Sequence, residues 1–111
     1  MMRAKIHHAK VTMADLHYEG SISIDSEIIK EVGFLINEKV DVLNINNGER
    51  FTTYVIEAPA NSKAIQVNGA AARKVQVGDV LIIIAYGQFE LEEAKNLKPK
   101  VLILDENNQI K

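Results

Sequence analysis

The side chains best suited to metal chemistry in this sequence are three histidines and an aspartate near the N-terminus. His7, His8 and His17 could gather around an ion together with Asp15. If residues 7 and 8 lie on a strand, however, their side chains point to opposite faces and cannot easily bind one ion. Such spacings also arise often by chance. The sequence therefore favours histidines in surface or polar-network positions, and we expect no metal site.

Motifs for most other kinds of catalysis are absent. The sequence has no Gly-rich phosphate loop, no nucleophile elbow and no His-Glu-x-x-His helix. Its 111 residues include no cysteine, which excludes disulfides, thiolate nucleophiles and zinc fingers. Thirteen basic and fifteen acidic residues give a net charge of -2, and aromatic residues make up only 5%. Because the protein has neither an excess of basic residues nor many aromatic residues on which bases could stack, nucleic acid is a poor partner.

The pair Gly20-Ser21 is the remaining candidate for unusual chemistry. Taken alone, it is typical of a turn followed by a helix cap. It belongs, however, to a longer block, Ala14 to Asp25. Further blocks follow in order: Asn47 to Tyr54, Val67 to Ala72 and Val77 to Val80. Together these blocks resemble the aspartate alpha-decarboxylase family, small pyruvoyl-dependent enzymes of pantothenate biosynthesis, and the similarity extends from about Arg3 to Leu104.

The resemblance implies that the chain cuts itself between Gly20 and Ser21, giving fragments 1–20 and 21–111. Ser21 would become a pyruvoyl group that forms a Schiff base with the substrate, so that neither pyridoxal phosphate (PLP) nor a metal is needed. The Ser21 hydroxyl can attack the Gly20 carbonyl, and Gly20 can adopt the strained backbone that this attack requires. Thr53 is implied in the same processing step. The implied reaction is that of aspartate 1-decarboxylase, a carboxy-lyase that converts L-aspartate to β-alanine and CO2.

The resemblance also implies a set of substrate-site residues. Lys5 and Arg50 would hold the two carboxylates of aspartate, and the sequence leaves open which cation holds which. Tyr54 is implied as the proton donor after CO2 has left, since a tyrosine hydroxyl can act as a general acid. The remaining implied substrate-binding positions are Tyr18, Thr53, Asn68, Gly69, Ala70 and Ala71. Without the resemblance, these residues would be interpreted as solvated charges, aromatic packing and a turn.

Alternating apolar and polar residues indicate that β-strands must position these side chains. Strands are predicted over residues 4–13, 39–45, 50–57, 64–67, 80–86 and 101–104. The apolar positions change parity at His7-His8, which predicts a β-bulge there. The continuous apolar runs at 80–86 and 101–104 predict strands that are covered on both faces.

Helical signals are short. A helix is predicted from Asp25, as its capping residue, to Gly33, with shorter helical turns at 69–72 and 91–95. On a regular strand, Arg50 and Tyr54 share a face while Thr53 points the other way. A curved barrel, a bulge or a pocket between subunits is therefore needed for all three to serve one site.

The pattern as a whole predicts a single domain over residues 1–111, mainly β, with six or seven strands in a barrel or sandwich. The resemblance implies a double-psi β-barrel with short helices, assembled as a homotetramer with active sites at the subunit contacts. Some relatives also need a separate maturation protein.

No apolar run approaches the roughly 18 residues of a membrane span, and the N-terminus has no secretory apolar region, so we expect a cytoplasmic protein with no membrane partner. The alternative function is a non-enzymatic oligomeric β-barrel that binds a small ligand or acts as a regulator. In that alternative Gly20-Ser21 is only a turn.

Overall fold

Eight β-strands in one mixed sheet form the framework of the protein. The computed structural model describes residues 1–111. In chain order the elements are β1 (Met2–Lys10), β2 (Met13–Asp15), β3 (Ser21–Asp25), α1 (Ser26–Val32), β4 (Lys39–Asn44), β5 (Arg50–Ala58), β6 (Ile65–Asn68), a 3₁₀ helix (Gly69–Lys74), β7 (Val80–Tyr86), α2 (Leu91–Lys95) and β8 (Lys100–Ile103). The strands lie in the order β2-β6-β3-β5-β4-β7-β1-β8. Three pairs are parallel, namely β1 with β8, β2 with β6 and β3 with β5.

The predicted strands β4 to β8 are confirmed, but the first predicted strand is divided. It ends at Lys10 and resumes as the short β2. The predicted bulge is confirmed, because the pairing of β1 with β7 shifts register between Ile6 and Ala9. The expectation that His7 and His8 point to opposite faces is wrong. His8 adopts a φ of 69°, and this turn of the backbone stacks the two rings with centroids 3.9 Å apart.

Strand β3 was not predicted from the sequence, and it raises the number of strands to eight. All five of its residues are buried. The strand is short and runs directly into α1, and its Ser and Asp residues are typical of turns and caps. The strand nevertheless lies inside the sheet, between β5 and β6.

The predicted helix between Asp25 and Gly33 is confirmed as α1. The Asp25 carboxylate caps the helix by accepting a hydrogen bond from the backbone N–H of Glu27 at 2.8 Å. It also accepts the N–H groups of Asn61 at 3.1 Å and Lys63 at 2.9 Å. Burial by itself would raise the pKa of Asp25, but hydrogen bonds from Lys63, Glu27 and Asn61 outweigh it and hold the pKa below its ordinary value. One carboxylate thus joins the end of β3 to α1 and to the loop before β6.

A cluster of 21 buried apolar residues forms the core, with contributions from β1, β3, β4, β7 and one side of α1. The prediction that the run at 101–104 is covered on both faces is wrong for the single chain. Leu102 and Leu104 pack into the core, whereas Val101 and Ile103 are 45% and 42% exposed. The reason is the position of β8 at the edge of the sheet, where no element covers its outer face. The run at 80–86 alternates between buried and partly exposed residues. The chain contains no helix long and apolar enough to span a membrane.

Candidate active site

Gly20 and Ser21 lie where an exposed loop enters the sheet. Gly20 is exposed, whereas Ser21 is the first residue of β3 and is fully buried. Strand β3 runs parallel to β5 on one side and antiparallel to β6 on the other. The peptide bond between the two residues therefore has one end fixed in the sheet and the other end facing solvent.

Two hydrogen bonds fix the hydroxyl of Ser21. Its Oγ donates to the carbonyl oxygen of Glu19 at 3.0 Å and accepts from Nδ2 of Asn68 at 3.0 Å. The same Asn68 nitrogen donates to Oγ of Ser23 at 3.0 Å, and Oδ1 of Asn68 accepts from Nε2 of Gln66 at 2.8 Å. Buried polar groups that are fully paired in this way hold one another in place. Asn68 therefore determines where the Ser21 hydroxyl lies.

Ser23 belongs to this network and was missed in the sequence analysis. The signal that could have found it is the alternation from Ser21 to Ile24. Residues two apart on a strand share a face, so the two serines lie together while Ile22 and Ile24 enter the core. The helix cap at Asp25 obscured this period.

The 3₁₀ helix begins directly after Asn68. Gly69 is buried and adopts a φ of 74°, Ala70 is exposed, and Ala71 is partly buried. Because Asn68 pairs with Ser21 across β3 and β6, the start of this helix lies beside the Gly20-Ser21 pair. The structure thus brings this small-residue segment to the candidate site, and its role in substrate binding stays a prediction.

Thr53 and Tyr54 point to opposite faces of β5. Thr53 pairs with a buried valine of β4, whereas Tyr54 is 36% exposed. Because Val55 pairs with Ile22, Tyr54 lies on the neighbouring strand at the level of Ser21. The pairings of β5 proceed without a register shift, so no bulge brings Thr53 to the face of Tyr54.

The two predicted carboxylate-binding cations lie far from Ser21 of their own chain. Arg50 begins β5, four residues before Tyr54, the residue level with Ser21, which is about 13 Å along an extended strand. Lys5 lies on β1, four strand positions from β3, which is roughly 19 Å measured along the sheet. Tyr18 lies in the exposed loop just before Gly20 and is 52% exposed. Within one chain the strand pairing places Tyr54 and Asn68 beside Ser21 and Gly69 against Gly20, whereas both cations are remote from Ser21 along the sheet.

The larger clefts of the single chain do not open at Ser21. One of about 420 Å³ lies beside Ala70 and is also lined by Arg73 and Lys74. Another of about 350 Å³ lies between His8 and Lys111 and is lined by none of the predicted site residues. A small substrate at Ser21 would therefore not be enclosed by one chain alone.

The histidines do not converge on a metal arrangement. Burial, with smaller contributions from His8 and Lys5, lowers the pKa of His7. Its Nδ1 atom is buried without a hydrogen-bond partner. Asp15 uses its carboxylate to accept the backbone N–H of His17 at 3.0 Å. No group of three His, Asp or Glu side chains in the chain is placed to hold an ion.

Comparison with known proteins identifies the family of this chain. The family model described as aspartate decarboxylase matches residues 1–111. The aspartate 1-decarboxylase of Caulobacter vibrioides is 60% identical over 111 residues, covering 100% of this chain and 94% of the relative. That of Maricaulis maris is 58% identical over 110 residues, covering 99% of this chain and 91% of the relative. That of Thermoanaerobacter pseudethanolicus is 58% identical over 109 residues, covering 98% and 93%.

Among solved structures, a rationally designed double-psi β-barrel protein, mkDPBB_sym_86, superimposes with a TM-score of 0.54 at 17% identity. The match covers 73% of this chain and 95% of the designed one, so it bears on the fold alone. It confirms the expected mainly β, double-psi barrel fold. Because the family model and the relatives extend over essentially its full length, this chain belongs to the aspartate decarboxylase family.

Proposed function

We propose that this protein decarboxylates L-aspartate to β-alanine and CO2 for pantothenate biosynthesis, using a pyruvoyl group that it makes from Ser21 by cutting its own chain. Membership of the family and the names of its relatives support the reaction. One observation of the structure carries the proposed cut. A buried serine, its hydroxyl held by Asn68, directly follows an exposed glycine.

The proposed cut proceeds in three steps. First, a bond forms between Ser21 Oγ and the carbonyl carbon of Gly20, the C–N bond between the two residues breaks, and the hydroxyl proton passes to the Ser21 nitrogen. Loss of the Ser21 α proton then expels the Gly20 carboxylate and leaves a dehydroalanine. Finally, water adds and ammonia leaves, which produces a ketone at the new N-terminus of fragment 21–111. Asn68 restricts the position of Oγ and so reduces the entropic cost of the first step.

The surroundings of residue 21 fit a pyruvoyl group. The position is fully buried, and the amide of Asn68 already points at the side chain. Such a group takes up the amine of an amino acid and accepts the electron pair released with CO2, so the proposal needs no PLP and no metal. Tyr54, on the neighbouring strand, would give a proton to the α carbon of the product. Lys5 and Arg50 would bind the carboxylates of aspartate.

We further propose that the site is completed by a second subunit in a homotetramer. Each chain leaves Lys5 and Arg50 too far from its own Ser21 to bind the same small molecule, and no larger cleft opens there. The apolar side chains of Val101 and Ile103 also remain uncovered on the outer face of β8. A neighbouring subunit would both cover such surface and supply the missing cations.

Intact mass spectrometry tests the proposed cut. We expect the purified protein to convert, on warming or with extract of the source organism, into fragments 1–20 and 21–111. The larger fragment should lack a free amino terminus and should be labelled by phenylhydrazine. The control, Ser21→Ala, should stay intact and release no CO2 from aspartate. A wild-type chain that remains uncut and unlabelled under both conditions would refute the proposal and favour a non-enzymatic barrel.

A further inference from the structure

Gly69 lies against the backbone of the residue whose bond is to be cut. A Cβ atom built on Gly69 would lie 2.6 Å from Cα of Gly20, 2.9 Å from N of Gly20 and 3.3 Å from the carbonyl oxygen of Tyr18. All three neighbours are backbone atoms, so no flexible side chain could move aside. The absence of a side chain at residue 69 therefore makes room for the loop that carries Gly20.

This arrangement is particular to Gly69 among the glycines with positive φ. Gly33, Gly48 and Gly78 also have positive φ, but a Cβ on any of them would meet nothing within 4 Å. The left-handed backbone alone is a sufficient reason for glycine at those three positions. At residue 69 the close approach of another backbone segment is a second and independent reason.

We propose that Gly69 is a positioning residue for self-cleavage, an inference that rests on the proposed function. Consecutive residues contact the two sides of the bond, since Asn68 binds the hydroxyl of Ser21 and Gly69 packs on Gly20. The attacking oxygen and the carbonyl that it attacks are thereby held by one short segment at the end of β6.

A methyl group at residue 69 would act on only one of these two contacts. The 2.6 Å separation falls about 0.8 Å short of ordinary contact, so Gly20 would have to move away by at least that distance. Ser21 would stay in place, because it is fixed by pairing within the sheet and by Asn68. The Gly20 carbonyl carbon would then lie out of reach of the hydroxyl, and the first step of the cut would be impaired.

The test compares Gly69→Ala with Gly48→Ala. The two glycines have φ values of 74° and 76°, so both variants carry the same backbone penalty, but only Gly69→Ala intrudes on Gly20. We expect Gly69→Ala to cut about a hundredfold more slowly, as displacements near 1 Å do in other reactions that depend on orientation. Gly48→Ala should cut at the wild-type rate. Mass spectrometry gives the rate, and the Tm of each variant in the uncut Ser21→Ala background gives the effect on folding.

Equal cutting rates in Gly69→Ala and the wild type would overturn the inference, as would equal slowing in both variants. If Gly69→Ala does not fold, NMR of the uncut Ser21→Ala protein, in which Gly69 is unchanged, tests the inference instead. The geometry requires a strong nuclear Overhauser effect between the α protons of Gly69 and Gly20, and its absence would overturn the inference. Failure of the proposed function gives a different result, because then the wild type itself would neither cut nor react with phenylhydrazine.

Discussion

The hydrogen bonds of Asn68 explain why the candidate site needs an amide side chain at the end of β6. Its nitrogen donates to two buried serine hydroxyls, and its oxygen accepts from Gln66. An aspartate of the same shape could not donate, and an apolar residue would leave both hydroxyls without this partner. The amide is fully buried, so water cannot replace it. The position of the Ser21 hydroxyl therefore depends on one side chain.

Asn68→Ala should slow self-cleavage by about ten- to a hundredfold, which corresponds to the roughly 1–3 kcal/mol of a buried hydrogen bond lost. The physical reason is that Ser21 Oγ loses its buried donor and samples other rotamers. The matched control is Ser23→Ala, which removes the other hydrogen bond of the same amide nitrogen and leaves the contact with Ser21 intact. The fraction of cut chain, followed over time by mass spectrometry, distinguishes the two variants. Identical time courses would contradict a specific role for Asn68.

Strand β3 is held at both ends by polar groups. At its start, Ser21 bonds to Asn68, and at its end the Asp25 carboxylate accepts three backbone N–H groups. These bonds join the strand to β6, to α1 and to the loop at residues 61–63. A strand fixed in this way places Ser21 in the same position before each attack.

Asp25→Asn should lower the free energy of unfolding at neutral pH. It should also make that free energy change less as the pH is lowered. The folded pKa of Asp25 lies below the unfolded value of about 3.9, so its contribution is present above that value and is lost as the pH falls through the folded pKa. The amide would place an N–H group against an N–H donor, at a cost of about 1–3 kcal/mol. Urea unfolding at neutral and acidic pH, in the uncut Ser21→Ala background, measures both effects. Glu31→Gln, an exposed change on the same helix, is the control. A stability difference from Asp25→Asn that is the same at both pH values would contradict this account.

The sequence predicted those elements whose two faces differ. Alternation located β4 and β5, and a capping residue with a terminal glycine located α1. Strand β3 was missed because its short Ser-Ile alternation runs directly into the helix cap at Asp25, and serine and aspartate are typical of turns. The spread of Lys5 and Arg50 over distant parts of the sheet follows from strand order, which is set by contacts remote in sequence. The contact of Gly69 with Gly20 could not be predicted either, because it joins a loop to the start of a helix 49 positions later in the sequence.

At the scale of the whole molecule, one chain holds two incomplete halves of the proposed site. One half contains Ser21, Asn68 and Tyr54, and the other contains the cations on β1 and at the start of β5. In the proposed homotetramer, another copy of the chain would bring them together.

Arg50→Ala should lower kcat/KM for aspartate strongly while self-cleavage continues, because the hydroxyl of Ser21 is held by Glu19 and Asn68 and not by Arg50. Ser21→Ala should be inactive for a different reason. Co-expression of the two variants should restore about a quarter of wild-type activity, since random assembly pairs an intact Ser21 from one subunit with an intact Arg50 from another. Steady-state assays on the mixed oligomer, with its mass determined by light scattering, provide the measurement. No recovery in a mixed tetramer would place both residues of each site in the same chain.

The position of β1 inside the sheet has a consequence for the proposed mature protein. This strand lies between β7 and β8, its apolar residues enter the core, and Asn108 bonds to both backbone groups of Lys10. Once the chain is cut, residues 1–20, which also carry β2, become a separate peptide retained by non-covalent contacts alone. Denaturation would then release this peptide, so the thermal midpoint should rise with protein concentration, and recovery after dilution should be a second-order process. An intact chain can refold on its own, whereas the two fragments of the processed protein must first reassociate.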